Sequence, residues 1–126
     1  MIHHIALSIT DSEEIENFYE EVLSFTLKYK FSLFPGVSLE IFNTERAVDV
    51  YMMEKQDVLL EIFINPQKER KVFSHTCLLE KEAETTYQKA IQKKYKTRIR
   101  ENHGHSTCFI WDRSGNMFEI KKTESL

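Results

Sequence analysis

Apolar and polar positions along the chain follow one order of patterns, and then follow it again. His3–Ile9 alternates, with His4, Ala6 and Ser8 on one face and Ile5, Leu7 and Ile9 on the other, which predicts a strand. Thr10–Glu14 reads as a helix start, with Asp11 able to cap and Glu14 three positions on, close to a capping box. Ile15, Phe18, Tyr19, Val22 and Leu23 then recur at helical spacing, while Glu13, Glu16, Glu20 and Glu21 form a solvated face. Residues 25–34 predict a second strand, broken by Pro35-Gly36. Residues 37–43 suggest a helical turn. Strands are expected over 47–54 and 58–64, joined by the tight connection Lys55-Gln56-Asp57. The last of these is nearly all apolar and carries Glu61 in its middle.

After a polar linker at 66–71 the order repeats. The pattern predicts a strand over 72–79 and a helix over 81–94 with Ala83, Tyr87, Ala90 and Ile91 inward. Strands follow over 97–101, 106–111 and 117–121, with turns at Asn102–His105 and Asp112–Asn116. His4 and His75 are 71 residues apart, Glu61 and Glu119 are 58 apart. The difference lies between the first helix and Glu61, and residues 35–47 are the natural insertion. Without them the two copies, modules 1–65 and 72–126, match as strand, helix and three strands within a single domain of 126 residues.

The repeat puts a histidine near the start of each first strand and a glutamate inside each last strand. A carboxylate on an apolar strand is costly to bury alone. If the two sheets face one another, His4, Glu61, His75 and Glu119 converge. Two neutral imidazoles and two carboxylates make a divalent-metal site, with water or substrate completing the coordination. Such an ion polarises a carbonyl or holds an enediolate, and a glutamate can shuttle the proton. The plainer reading is two partly exposed His–Glu pairs. Cys77 shares a face with His75, although a small core residue is its commoner role. His103 and His105 flank Gly104, and a polar turn accounts for them; substrate contact is the alternative.

Composition narrows the classes. The net charge is -3 and the pI about 6.0, which gives no general attraction to nucleic acid. The basic run Lys93–Arg100 spans a helix end and a strand, a solvated edge. No apolar stretch reaches the roughly 18 residues of a membrane span. Two cysteines without metal-knuckle spacing and no signal-peptide pattern lead to the expectation of a cytoplasmic protein.

His4-Ile-Ala-Leu-Ser-Ile9 with Phe18-Tyr-Glu-Glu-Val-Leu-Ser-Phe25 resembles the opening of the vicinal oxygen chelate superfamily, the glyoxalase, bleomycin-resistance and extradiol-dioxygenase group. Phe109–Ile120 resembles its closing hairpin. The resemblance covers nearly the whole chain, least of all 35–47. It implies an α+β fold in which two βαβββ modules form an eight-stranded, cup-shaped mixed sheet with helices outside. It implies metal ligands at His4, Glu61, His75 and Glu119, a set similar to glyoxalase I, with Glu119 or Glu61 also acting as base. Ni, Zn, Co or Mn suits that set. His4, His75 and Glu119 alone match the two-His, one-Glu set of extradiol dioxygenases. Asn65 falls at a position used for substrate in glyoxalase I. Ser8 stands where many bacterial glyoxalases have an arginine.

Two hypotheses follow. The first is a metal-dependent, glyoxalase-like lyase or isomerase acting on a small carbonyl or thiohemiacetal substrate. The second is a non-catalytic small-molecule binding or resistance protein of the same fold, its cup lined by Phe63, Tyr51, Phe109 and Trp111. Either is expected to be a homodimer, with modules paired within a chain or across two chains.

Overall fold

The structure is a computed structural model that describes residues 1–66 and 74–123, apart from the side chain of Asn102. Most of the expected linker and the start of the expected strand at Val72 lie outside the described residues. Eight strands and three helical segments are present among those described. The strands are β1 (Ile5–Ile9), β2 (Thr26–Leu33), β3 (Val48–Lys55), β4 (Val58–Ile64), β5 (Thr76–Glu80), β6 (Thr97–Asn102), β7 (His105–Trp111) and β8 (Met117–Lys122). A π-helical segment, Ile15–Glu20, follows β1; helix α1 (Pro35–Phe42) follows β2 and helix α2 (Ala83–Gln92) follows β5.

The strands hydrogen-bond as two four-stranded sheets of one topology, β1-β4-β3-β2 and β5-β8-β7-β6. In each, the first strand runs parallel to the last and the remaining pairs are antiparallel. A parallel neighbour requires a crossover, and the helical segment after each first strand supplies its start. The fold is thus α+β, two βαβββ modules. No helix among the described residues is long and apolar enough to cross a membrane.

Strand parity decides what each sheet face does. Ile9, Leu60, Ile62 and Met53 of the first sheet and Leu78, Ile110, Phe118 and Ile120 of the second belong to one apolar cluster. Ile15, Phe18, Tyr19, Val22 and Leu23, the stripe read from the sequence, are all buried in it. Phe18 packs on Tyr95 at 4.8 Å and on Phe118 at 5.8 Å between ring centroids. Each fully buried aromatic or aliphatic side chain contributes about 1.5–3 kcal/mol. The two modules therefore share a core, and the opposite face of each sheet is left for other use.

Three local expectations are revised. Ile91 is 42% exposed, and Thr86 turns inward with Ala83 and Ala90. The Thr86 hydroxyl donates to buried Glu80, which also pairs with Lys55, and this polar group fixes the helix's rotation. Tyr51 packs against the core rather than lining the other face. Asp11 does accept the N–H of Glu13 at 2.9 Å; Glu14 stands at the N-cap position but makes no side-chain capping bond, because its buried carboxylate is taken up by the second module.

Candidate functional site

Both His–Glu pairs form, one on each sheet, on the face opposite the core. Ala6 lies across from Glu61 in the parallel β1–β4 register, and His4 shares the parity of Ala6. The His4 Nε2 to Glu61 Oε1 distance is 3.6 Å. In the second module Cys77 lies across from Glu119, and His75 shares its parity. His75 Nε2 is 3.8 Å from Glu119 Oε1. The glutamates are 17% and 18% exposed and the histidines 36% and 42%. All four side chains thus keep some exposure to solvent. Among the described residues no group of three or more His, Cys, Asp or Glu side chains comes together. One chain thus presents two separate His–Glu pairs, one on each sheet.

The donor chemistry fits a divalent cation. Neighbouring donors held about 2.1 Å from one ion stand about 3–3.5 Å apart, close to both observed separations. Imidazole nitrogen with carboxylate oxygen suits Zn, Ni, Co or Mn.

Other expected site residues divide between the two faces. Phe63, two residues beyond Glu61, shares its face and meets Phe42 of α1 edge-on at 5.3 Å. Asn65 donates its backbone N–H to Ile9 O at 2.7 Å, and with Phe63 it lines a cleft of about 230 Å³. Phe109 lies across from Glu119 and Trp111 across from Met117, so both rings are on the His75 face. Lys96 sits 4.5 Å from the centre of the Trp111 ring. Cys77 is exposed on the same face; burial, then the Glu119 charge, raises its thiol pKa. It is not a core residue. His103, at φ 52, and Gly104, at φ 81, form the two-residue turn between β6 and β7, which explains them structurally.

A buried polar clamp joins the modules, and its partners are too distant in sequence for periodicity to indicate. The Glu14 carboxylate accepts from the Tyr95 hydroxyl, the Arg113 N–H at 2.8 Å and Arg113 Nη1 at 3.0 Å. Beside it, Asp112 accepts from the Tyr19 hydroxyl at 2.8 Å and from Asn116 Nδ2 at 2.8 Å. Asn116 Nδ2 also donates to Ser8 O at 2.8 Å, on the strand that carries His4. Burial raises the Asp112 pKa above the ordinary carboxylate value, against the hydrogen bonds from Asn116 and Tyr19 that lower it. The turn Asp112–Asn116 thus positions the opening strand.

Residues 1–120 match the Glyoxalase/Bleomycin resistance protein/Dioxygenase superfamily. The chain belongs to this superfamily. Solved structures agree in fold. A glyoxalase family protein from Enterococcus faecalis is 20% identical over 95% of each chain, with a TM-score of 0.70. The fosfomycin resistance protein FosX from Listeria monocytogenes, complexed with Mn(II) and sulfate, is 11% identical over 98% of this chain and 93% of that one, at 0.72. The trypanothione-dependent glyoxalase I from Leishmania major is 14% identical over 97% and 86%, at 0.74. No curated protein sequence matches the chain significantly. In this superfamily member, the repeat read from the sequence corresponds to the two modules, and each module keeps one His–Glu pair.

Proposed function

We propose that the protein is a divalent-metal-dependent, glyoxalase-like enzyme that forms an enediolate from a small carbonyl or thiohemiacetal substrate. The repeated His–Glu pair on the side of each sheet opposite the shared core carries this reading. His4, Glu61, His75 and Glu119 would hold the ion, Ni, Zn, Co or Mn. Bound there, the ion supplies Lewis-acid polarisation of a carbonyl oxygen. Glu119, with Glu61 as its counterpart, takes the proton from the hydroxyl-bearing carbon beside the carbonyl, and the electron pair moves to the carbonyl oxygen. The same carboxyl returns the proton to the former carbonyl carbon as the hydroxyl proton passes to that oxygen and a new carbonyl forms. Phe63, Asn65 and Trp111 contact the substrate's remainder.

Each chain offers two separate half-sites, so a homodimer completes the set. His4 and Glu61 of one chain meet the second module's pair from another copy, and the two modules together form the cup. The FosX structure with Mn(II) supports the metal by likeness of fold.

The aromatic cleft at Phe42 and Phe63 favours the second reading, a non-catalytic binding protein of the same fold. Metal content after native purification separates the two. The enzyme reading predicts a bound divalent ion, or a thermal midpoint raised by adding one. Turnover of methylglyoxal with glutathione or another thiol then tests the glyoxalase reaction. A protein that carries no ion and is unmoved by one contradicts it.

A further inference from the structure

The cleft beside the first His–Glu pair has features the pair does not explain. Its wall includes α1 and the residues that follow it, the segment between β2 and β3 that has no counterpart in the second module. Ser38 of α1 is 3% exposed, and its Oγ is buried without a hydrogen-bond partner among the described residues. An unsatisfied buried hydroxyl costs about 1–3 kcal/mol, so such a group calls for an occupant. Arg46 is half-buried in the same wall and forms no ion pair with any described residue. The guanidinium of a half-buried arginine in a cleft wall can serve as a site for a planar anion. Ser8, Thr44 and Asn65 add polar groups, and Phe42 and Phe63 supply an apolar floor.

The cleft lies along the site face. Ser8 and Phe63 are register partners one step beyond Ala6 and Glu61, about 7 Å along the strands. Phe63 stands between the Glu61 carboxylate and Asn65 on that face. A small molecule can therefore reach the His4–Glu61 pair with its reacting end and leave a charged end in the cleft without bringing two negative charges together.

We propose that this cleft is a carboxylate-binding subsite, in which Arg46 and the Ser38 hydroxyl hold the acid group of a small organic acid whose apolar body rests on Phe42 and Phe63. As an account of substrate class it rests on the enzyme reading. One guanidinium matches one negative charge; a phosphonate dianion would keep a second charge uncompensated in a partly desolvated wall. The substrate is thus a carbonyl compound that also bears a carboxylate.

The test uses metal-free, full-length protein and amide-resolved NMR titration with three probes: benzoate, neutral benzamide and phenylphosphonate. Benzoate is expected to bind, shifting the amides of Ser8, Ser38, Phe63 and Asn65. Benzamide should bind at least tenfold more weakly, and phenylphosphonate more weakly than benzoate. Arg46→Gln should weaken benzoate at least tenfold, and Ser38→Ala about threefold without lowering the thermal midpoint. Benzamide binding as tightly as benzoate, an Arg46→Gln protein that binds benzoate normally, or tighter binding of phenylphosphonate overturns the proposal. If Ser38→Ala does not fold, Arg46→Gln and the probe series still decide it. The two readings fail separately: loss of the subsite leaves metal uptake intact, and absence of metal uptake leaves benzoate binding intact.

Discussion

His4 Nε2 lies 3.6 Å from Glu61 Oε1, on the face of the first sheet that the core does not use. The second module repeats the relation with His75 and Glu119. Adding Zn, Ni, Co or Mn should therefore stabilise the wild-type protein. An ion at a hundredfold excess over its Kd gives about 2.7 kcal/mol. His4→Ala and Glu119→Ala should each remove most of that gain while keeping the metal-free thermal midpoint within about a degree, because both side chains lie outside the core. Thermal unfolding with and without the ion checks this.

The glutamates differ from the histidines in being able to move a proton. Glu119→Gln should lower kcat about 10²–10⁴-fold, the usual contribution of a positioned acid or base, and more than Glu61→Gln does. Measuring bound ion in both variants separates loss of the base from loss of the metal. Equal losses, in step with lost metal, would assign both residues to ligation alone.

The clamp between modules predicts stability rather than activity. Glu14→Ala leaves the Tyr95 hydroxyl and the Arg113 N–H without their acceptor. The expected cost is about 2–3 kcal/mol by chemical denaturation. Arg113→Ala should cost less than 1 kcal/mol by the same measurement, since the Arg113 side chain is 58% exposed and solvent screens its charge.

The same clamp sets an alkaline limit. Burial, then Asp112, raises the Tyr19 phenol above its ordinary value of 10.0. Burial, then hydrogen bonding to Glu14, raises that of Tyr95. A raised pKa means the folded state holds the proton more tightly. The stabilisation is complete below pH 10 and is lost as pH rises through the folded values. In an absorbance titration, two of the five tyrosines should ionise late and together with loss of circular dichroism. Ionisation of both near pH 10 in a folded protein contradicts this.

Much of this architecture can be read from periodicity. The parity of His4 with Ala6 and of Glu61 with Phe63 follows from a two-residue repeat, and Phe18 and Tyr19 follow from helical spacing. Periodicity reports which residues share a face, not what that face meets. Glu14 fits a capping pattern because its partners, Tyr95 and Arg113, are 81 and 99 residues away. Ile91 fits an inward stripe, but the Thr86–Glu80 hydrogen bond rotates α2 away from it. Ser38 lies in the stretch with no counterpart in the second copy, so the repeat says nothing about it.

The central claim is that a complete site takes its first-module pair and its second-module pair from different chains. A mixed dimer tests it most directly. One chain carries His4→Ala and the other His75→Ala, each with its own affinity tag, and the doubly tagged species is isolated. In a dimer whose sites span two chains, one site keeps all four native residues and the other loses both histidines. The account predicts that the mixed dimer binds one divalent ion while each variant alone binds none. If the mixed dimer also binds none, each site belongs to a single chain and the account is wrong.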